Sequence, residues 1–229
     1  MNIAGLQKLT LLDYPEHTAC TVFTAGCNFR CPFCHNSDLL IKKSGDISEE
    51  EFFEFLRSRV NKLDGVCITG GEALLQPDIL PFMQKIRDLG FKVKLDTNGS
   101  IYSKLEYVVN NKLCDYVAMD IKNAPEKYNL SCGGMVNVEN VKKSVQLLMG
   151  QSAVDYEFRT TVVKELNSFN DFEVIARWIS GAKRYFLQSY KHSEKVLKSG
   201  FSAYSEEDLI TLCEKIKKWG VEGCYLRGI

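Results

Sequence analysis

The sequence predicts an α/β protein of parallel strands joined by helical crossovers, on three observations. Short β-rich runs alternate with longer segments of helical spacing, the connections between them are short, and two helical segments open on serines placed as N-caps. The β-rich runs are Cys20–Thr24, Val66–Thr69, Phe91–Asp96, Tyr116–Ile121, Glu157–Val163 and Arg184–Gln188. Ser48 followed by Glu51 reads as a capping box, after which Phe52, Phe53, Leu56 and Val60 form one apolar stripe. Ser205 with Asp208 opens a similar helix carrying Leu209, Leu212, Cys213, Ile216 and Trp219. Gly90 and Gly220 fall where helix ends need a left-handed residue. Two closures fit this order, an open doubly wound sheet or a curled sheet like a partial (β/α) barrel. Periodicity does not choose between them. In either, functional residues belong at the carboxyl ends of the strands. There is no internal repeat or low-complexity linker, so residues 1–229 read as a single domain.

The charge balance narrows the partners. Lys and Arg number 29 and Asp and Glu 29, a net charge of zero, which lacks the basic excess on which nucleic-acid affinity rests. The lysine pairs Lys42–Lys43, Lys142–Lys143 and Lys217–Lys218 read as solvated faces. No apolar run approaches the roughly 20 residues of a bilayer helix, and the N-terminus lacks a charged-then-apolar leader. A cytoplasmic protein with no membrane partner is expected.

Nine cysteines are the compositional surprise. They are too dispersed, and odd in number, for a disulfide scaffold, and in a reducing cytosol thiols serve ligation or chemistry. Cys20, Cys67, Cys114, Cys213 and Cys224 lie in apolar stretches and read as buried fillers. Cys132 follows Ser131 and has no evident place. Cys27, Cys31 and Cys34 are clustered directly after the first strand, with the spacing C-x3-C-x2-C. Structural zinc wants four ligands in a closed tetrahedron, and no second cysteine pair is at hand; His35 adjoins Cys34 too closely to converge on the same ion. An iron–sulfur cube held by three cysteines leaves one iron open to a small molecule, whereas an electron-transfer cluster takes a fourth.

Cys27-x3-Cys31-x2-Cys34, with the aromatic Phe33 before the last cysteine, resembles the cluster motif of the radical S-adenosylmethionine (SAM) enzymes. Asp13-Tyr14-Pro15, Gly26-Cys27-Asn28 and Cys34-His35-Asn36 are similar to the activating enzymes of glycyl-radical enzymes, including the pyruvate formate-lyase activases. Gly5-Leu6-Gln7-Lys8 and Leu226-Arg227-Gly228 look most like the activating proteins of anaerobic ribonucleoside-triphosphate reductases. The resemblance runs the length of the chain. It implies a partial (β/α)6 barrel of parallel strands with outer helices, one [4Fe–4S] cluster on Cys27, Cys31 and Cys34, and S-adenosylmethionine as cofactor. It also implies the reaction: a 5′-deoxyadenosyl radical removes a glycine Cα hydrogen from the partner enzyme. No cysteine insert separates Cys34 from Gly70, so the cluster's electron must come from an external donor such as a flavodoxin or ferredoxin.

The other strand ends carry matching motifs. Thr69-Gly70-Gly71-Glu72 would, by itself, read as a tight turn; the resemblance sets Gly70, Gly71 and Glu72 against the methionine amino group of the cofactor. Asp96-Thr97-Asn98-Gly99 is an ordinary turn sequence, and the resemblance places Asp96 near that amino group and a monovalent cation. Asp120 and Lys122, two apart on a strand, share a face; the resemblance gives Lys122 to the cofactor carboxylate and Asp120 to the ribose or cation. Arg159 is a charge in a β-rich run, assigned to cofactor or substrate peptide. The sixth strand departs from the formate-lyase activases, which have a histidine at its end; Gln188 stands in, and His192 lies too far along. Asp13 and His35 match positions that touch the substrate backbone. Two other readings compete. One is a metal-binding adaptor, which would need a fourth ligand near the cysteine loop and would have no use for Gly70-Gly71-Glu72. The other is radical chemistry on a small molecule, against which the lack of an extra substrate domain weighs.

Overall fold

Each of the six β-rich runs forms a strand, and the chain adds one more at either end. The computed structural model describes residues 1–41, 45–151 and 153–229, so Lys42 and Lys43 lie outside the described residues. The strands are β1 (Ile3–Thr10), β2 (Ala19–Thr24), β3 (Gly65–Gly70), β4 (Lys92–Thr97), β5 (Tyr116–Asp120), β6 (Asp155–Val162), β7 (Tyr185–Ser189) and β8 (Cys224–Arg227). They form one sheet in strict chain order, β1 antiparallel to β2 and every later pair parallel.

That order decides the closure. Right-handed crossovers that always add the next strand on the same side leave every helix on one face of a twisted sheet. A doubly wound sheet reverses its order at a switch point, and this one never does. The chain is a partial barrel with helices outside. The sequence pattern does not mark β1 and β8, because Gly5, Gln7 and Lys8 dilute the β signal of the first and the second spans only four residues.

The helices are α1 (Ser37–Ile41), α2 (Glu49–Arg57), α3 (Ile79–Asp88), α4 (Tyr102–Asn110), α5 (Tyr128–Cys132), α6 (Val138–Gly150), α7 (Phe169–Trp178) and α8 (Glu206–Lys218). Ser48 and Glu51 close the capping box of α2, and Phe52, Phe53 and Leu56 are buried. α2 ends at Arg57, so Val60 lies beyond the stripe and is 39% exposed. Ser205 caps α8 by accepting from the Asp208 N–H, and Leu209, Leu212, Cys213 and Ile216 are buried. Gly90 and Gly220 have positive φ, as the helix ends require. Lys142 and Lys217 pair with Glu139 and Glu214 on the outer helices. Among the described residues, no helix is long and apolar enough to cross a membrane.

Two apolar regions hold the sheet. The larger fills the space between the strands' outer faces and the helices, and the rings of Phe52, Phe53 and Phe82 meet there at centroid separations of 5.2–5.4 Å. The smaller groups Tyr14, Ala19, Tyr116 and Ala118 near the amino ends of the strands. Ion-paired side chains gather on the same strands: Lys94 and Asp96 from β4, Asp120 from β5, and Glu157 and Arg159 from β6.

Phe82 is 1% exposed and packs on both α2 phenylalanines. Phe82→Ala should lower the unfolding free energy by about 3–5 kcal/mol, the cost of emptying a buried aromatic site. Urea denaturation under anaerobic conditions measures it; a loss below about 1 kcal/mol would mean the α2–α3 contact is not packed as described.

Candidate functional site

The loop after β2 carries the three clustered cysteines, and the chain seats it by close backbone approach. Gly70 has φ +116°, and the Glu72 N–H donates to the Gly26 carbonyl at 2.8 Å. A Cβ on Gly71 would lie 1.9 Å from that same carbonyl oxygen. A side chain at Gly71 would therefore push the cysteine loop off the end of β3. Asn28 ties the loop to the turn after β4, its Nδ2 donating to Ser100 Oγ at 2.7 Å and its Oδ1 accepting from Asn98 at 3.0 Å.

Beneath the loop lies a cavity of about 280 Å³, lined among others by Cys27, Cys31, Phe33, Cys34, His35, Gly70, Gly71, Asp96, Asp120, Lys122, Arg159 and Gln188. The ends of five parallel strands thus contribute to one cavity with the cysteine loop, as the position rule for such sheets requires. Of the residues singled out in the sequence, Glu72 and Asp13 are not brought there. Glu72 is fully buried behind the turn, its carboxylate accepting from the backbone N–H of Leu74 and Asn98 and from the Thr97 hydroxyl. Burial pushes its carboxyl up to about 7, against the pull of those donors. Its work is to join the β3 and β4 turns. Asp13 lies on a neighbouring smaller cavity with Lys94, Glu157 and Arg227, and accepts from Thr21 Oγ1 at 2.6 Å. Asp96, Arg159 and Gln188 line both cavities. His35 sits beside Tyr190, ring centroids 5.7 Å apart, while His192 is exposed.

The charges in the cavity are compensated in a chain. Arg159 Nε donates to Asp120 at 2.9 Å and its Nη1 to Asp96 at 3.0 Å. Lys122 Nζ donates to the other Asp120 oxygen at 2.9 Å, and Lys94, 2% exposed, donates to the other Asp96 oxygen. Burial alone would raise Asp120, but Arg159 and Lys122 hold it down to about 2. No motif marks Lys94, although it stands two residues before Asp96, the spacing that puts both on one strand face.

The donor set fits an iron–sulfur cube: Cys27, Cys31 and Cys34 line one cavity, and thiolates are the ligands such clusters take. Burial raises the Cys27 thiol to about 11 and also raises Cys34, whereas the neighbouring Cys132 side chain lowers Cys31. The other cysteines read as fillers, Cys20, Cys67, Cys114, Cys213 and Cys224, are all buried.

The family model of the radical SAM superfamily matches residues 21–179. A candidate glycyl-radical enzyme activating enzyme of Methanocaldococcus jannaschii is 31% identical over 212 residues, covering 90% of this chain and 83% of that protein. The pyruvate formate-lyase-activating enzyme of Clostridium pasteurianum is 32% identical over 130 residues, 54% of this chain and 53% of the enzyme. Among solved structures, a radical SAM methyltransferase from Sphaerobacter thermophilus superposes with a TM-score of 0.74 at 15% identity, over 96% of this chain and 68% of that one. A domain of the pyruvate-formate lyase-activating enzyme from Bacteroides vulgatus gives 0.58 at 18%, over 72% and 99%. At those identities the structural likeness is one of fold.

Arg159→Met should cost about 3 kcal/mol at neutral pH, the lower end for a broken buried pair, because it strips a cation from two half-buried carboxylates. The pH dependence has a definite sign. Asp120 is depressed, so its contribution is whole above the usual carboxylate range and is lost as pH falls through about 2. The variant should unfold at a higher pH than the parent on acid titration followed by circular dichroism; coincident curves would show the bridge contributes nothing.

Proposed function

The chain belongs to the radical SAM superfamily, and from that premise we propose that it activates a glycyl-radical enzyme by taking a hydrogen atom from a glycine Cα, with an anaerobic ribonucleoside-triphosphate reductase as the partner. The observation that carries the reading is the convergence of three cysteine thiols and the Asp96–Arg159–Asp120–Lys122 chain on one cavity. In this reading Cys27, Cys31 and Cys34 hold one [4Fe–4S] cluster, and Phe33, Gly70, Gly71, Asp96, Asp120, Lys122, Arg159 and Gln188 hold S-adenosylmethionine. Bound together, the two cofactors supply a one-electron reductive cleavage that yields a hydrogen-abstracting carbon radical.

The residues of the chain position and insulate that chemistry. Lys122, already ion-paired to Asp120, offers remaining N–H donors to the cofactor carboxylate. Asp96 and Asp120, kept ionised by Lys94 and Arg159, favour the ammonium end and the ribose hydroxyls. Glu72 is a positioning residue, holding the β3 and β4 turns against the cysteine loop. His35 at the cavity and Asp13 at the neighbouring one are the proposed contacts of the substrate peptide. The reductase is favoured by Gly5-Leu6-Gln7-Lys8 and Leu226-Arg227-Gly228, whose residues fall largely in β1 and β8, the two edges of the sheet. A flavodoxin or ferredoxin is proposed as the electron donor and the cytoplasm as the location.

Anaerobic reconstitution should give about four irons and four sulfides per chain, and Cys31→Ala should abolish the cluster. Lys122→Ala should keep the cluster and weaken S-adenosylmethionine binding by roughly 1.5–3 kcal/mol, the worth of a charge-assisted hydrogen bond, read by calorimetry. Mixing the reduced enzyme with cofactor and the reductase should produce an organic-radical doublet that collapses when the glycine Cα carries deuterium, the label appearing in 5′-deoxyadenosine. A doublet only on pyruvate formate-lyase would move the partner, and cofactor turnover with a small molecule alone would overturn the activase reading.

A further inference from the structure

Asp96 and Asp120 bring four carboxylate oxygens to the cavity, and each of the four is already taken by a cation of the chain. Lys94 and Arg159 hold the two oxygens of Asp96, and Arg159 and Lys122 the two of Asp120. These groups carry three positive charges against two negative. The other acids on the neighbouring cavity have partners of their own: Glu157 accepts from Arg227 and from the Tyr116 hydroxyl, and Asp13 from the Thr21 hydroxyl. Lys94 differs from the other two cations in its position. It is 2% exposed, lines the smaller cavity and not the large one, and its Nζ also lies 3.7 Å from Sγ of the fully buried Cys67. It therefore supports Asp96 from the side away from the space assigned to the cofactor.

A buried ammonium is costly unless its charge is answered, and here Asp96 answers it. The resemblance of the sequence sets a monovalent metal ion at Asp96 and Asp120, and the residues present do not fit one. Hard cations bind through several oxygens at once, and every oxygen of both carboxylates already has a cationic donor. A metal ion there would have to displace an ammonium or the guanidinium and then sit among the cations left, in a medium that screens like charges poorly. Resting on the assignment of this cavity to S-adenosylmethionine, we propose that the Lys94 ammonium takes over the task of such an ion. It is a positioning residue that neutralises Asp96 from behind, so that the chain binds its cofactor without potassium or sodium.

The test titrates the reconstituted protein with S-adenosylmethionine by calorimetry, and melts it, in potassium, sodium and choline chloride at one ionic strength. Choline is too large for a site that takes a bare metal ion. The parent should give the same affinity and the same Tm in every salt. Lys94→Ala leaves an Asp96 oxygen without its donor and opens room beside it. In choline this variant should bind cofactor about tenfold more weakly or worse, as loss of a hydrogen bond to a charged group implies. Potassium or sodium should restore both its affinity and its Tm by binding in the vacated place. Lys94→Met fills that room with apolar atoms and should stay impaired in every salt. A parent that binds more tightly in potassium or sodium than in choline would overturn the proposal. So would an alanine variant that loses nothing, or one whose loss neither metal ion repairs, the mark of a lysine that only packs. Should neither variant fold, the parent's behaviour across the salts still decides. A parent that binds no cofactor in any salt would strike the cofactor assignment, and the proposal with it.

Discussion

The guanidinium of Arg159 stands between two half-buried carboxylates, and the site is arranged around that bridge. Its Nε and Nη1 reach Asp120 and Asp96, from neighbouring and next-neighbouring strands, and so join β4, β5 and β6 through their side chains. Buried charges of this kind are tolerated only when each is paired and hydrogen-bonded, and here Lys94 and Lys122 complete the set. The consequence is a floor of paired charges.

The second constraint is steric. The cysteine loop can lie on the strand ends only because Gly71 lets its carbonyl come close and Gly133 does the same on the other side. The loop is therefore clamped between the turn after β3 and the end of α5. That clamping lets three thiols face one cavity in a loop that has little secondary structure of its own. The fold places the site and the glycines allow it to close. Membership of the radical SAM superfamily then gives the site its chemistry.

Much of this was legible in the residues. The C-x3-C-x2-C spacing, the Gly70-Gly71 pair and the Asp120–Lys122 couple each signal through local chemistry, and all line the same cavity. What escaped depends on contacts distant in sequence. Lys94 looks like a solvent-facing residue of an alternating strand, because nothing local says that the polar face of β4 points into a barrel. Glu72 looks like part of a cofactor motif, and only the tertiary structure turns its carboxylate towards Thr97 and Asn98. Asp13 lies close to the cysteines in sequence and yet opens on the neighbouring cavity. Cys132 follows the loop by about a hundred residues and meets it only through the docking of α5. The choice between a doubly wound sheet and a barrel was likewise invisible in periodicity and settled by strand order.

The proposed activity depends on three cysteines holding a cube whose fourth iron is left for the cofactor. Mössbauer spectroscopy of protein reconstituted with iron-57 addresses it directly. One iron in four should show a distinct site, and its isomer shift should change on addition of S-adenosylmethionine while the other three stay fixed. Four equivalent irons, unmoved by the cofactor, would contradict the account.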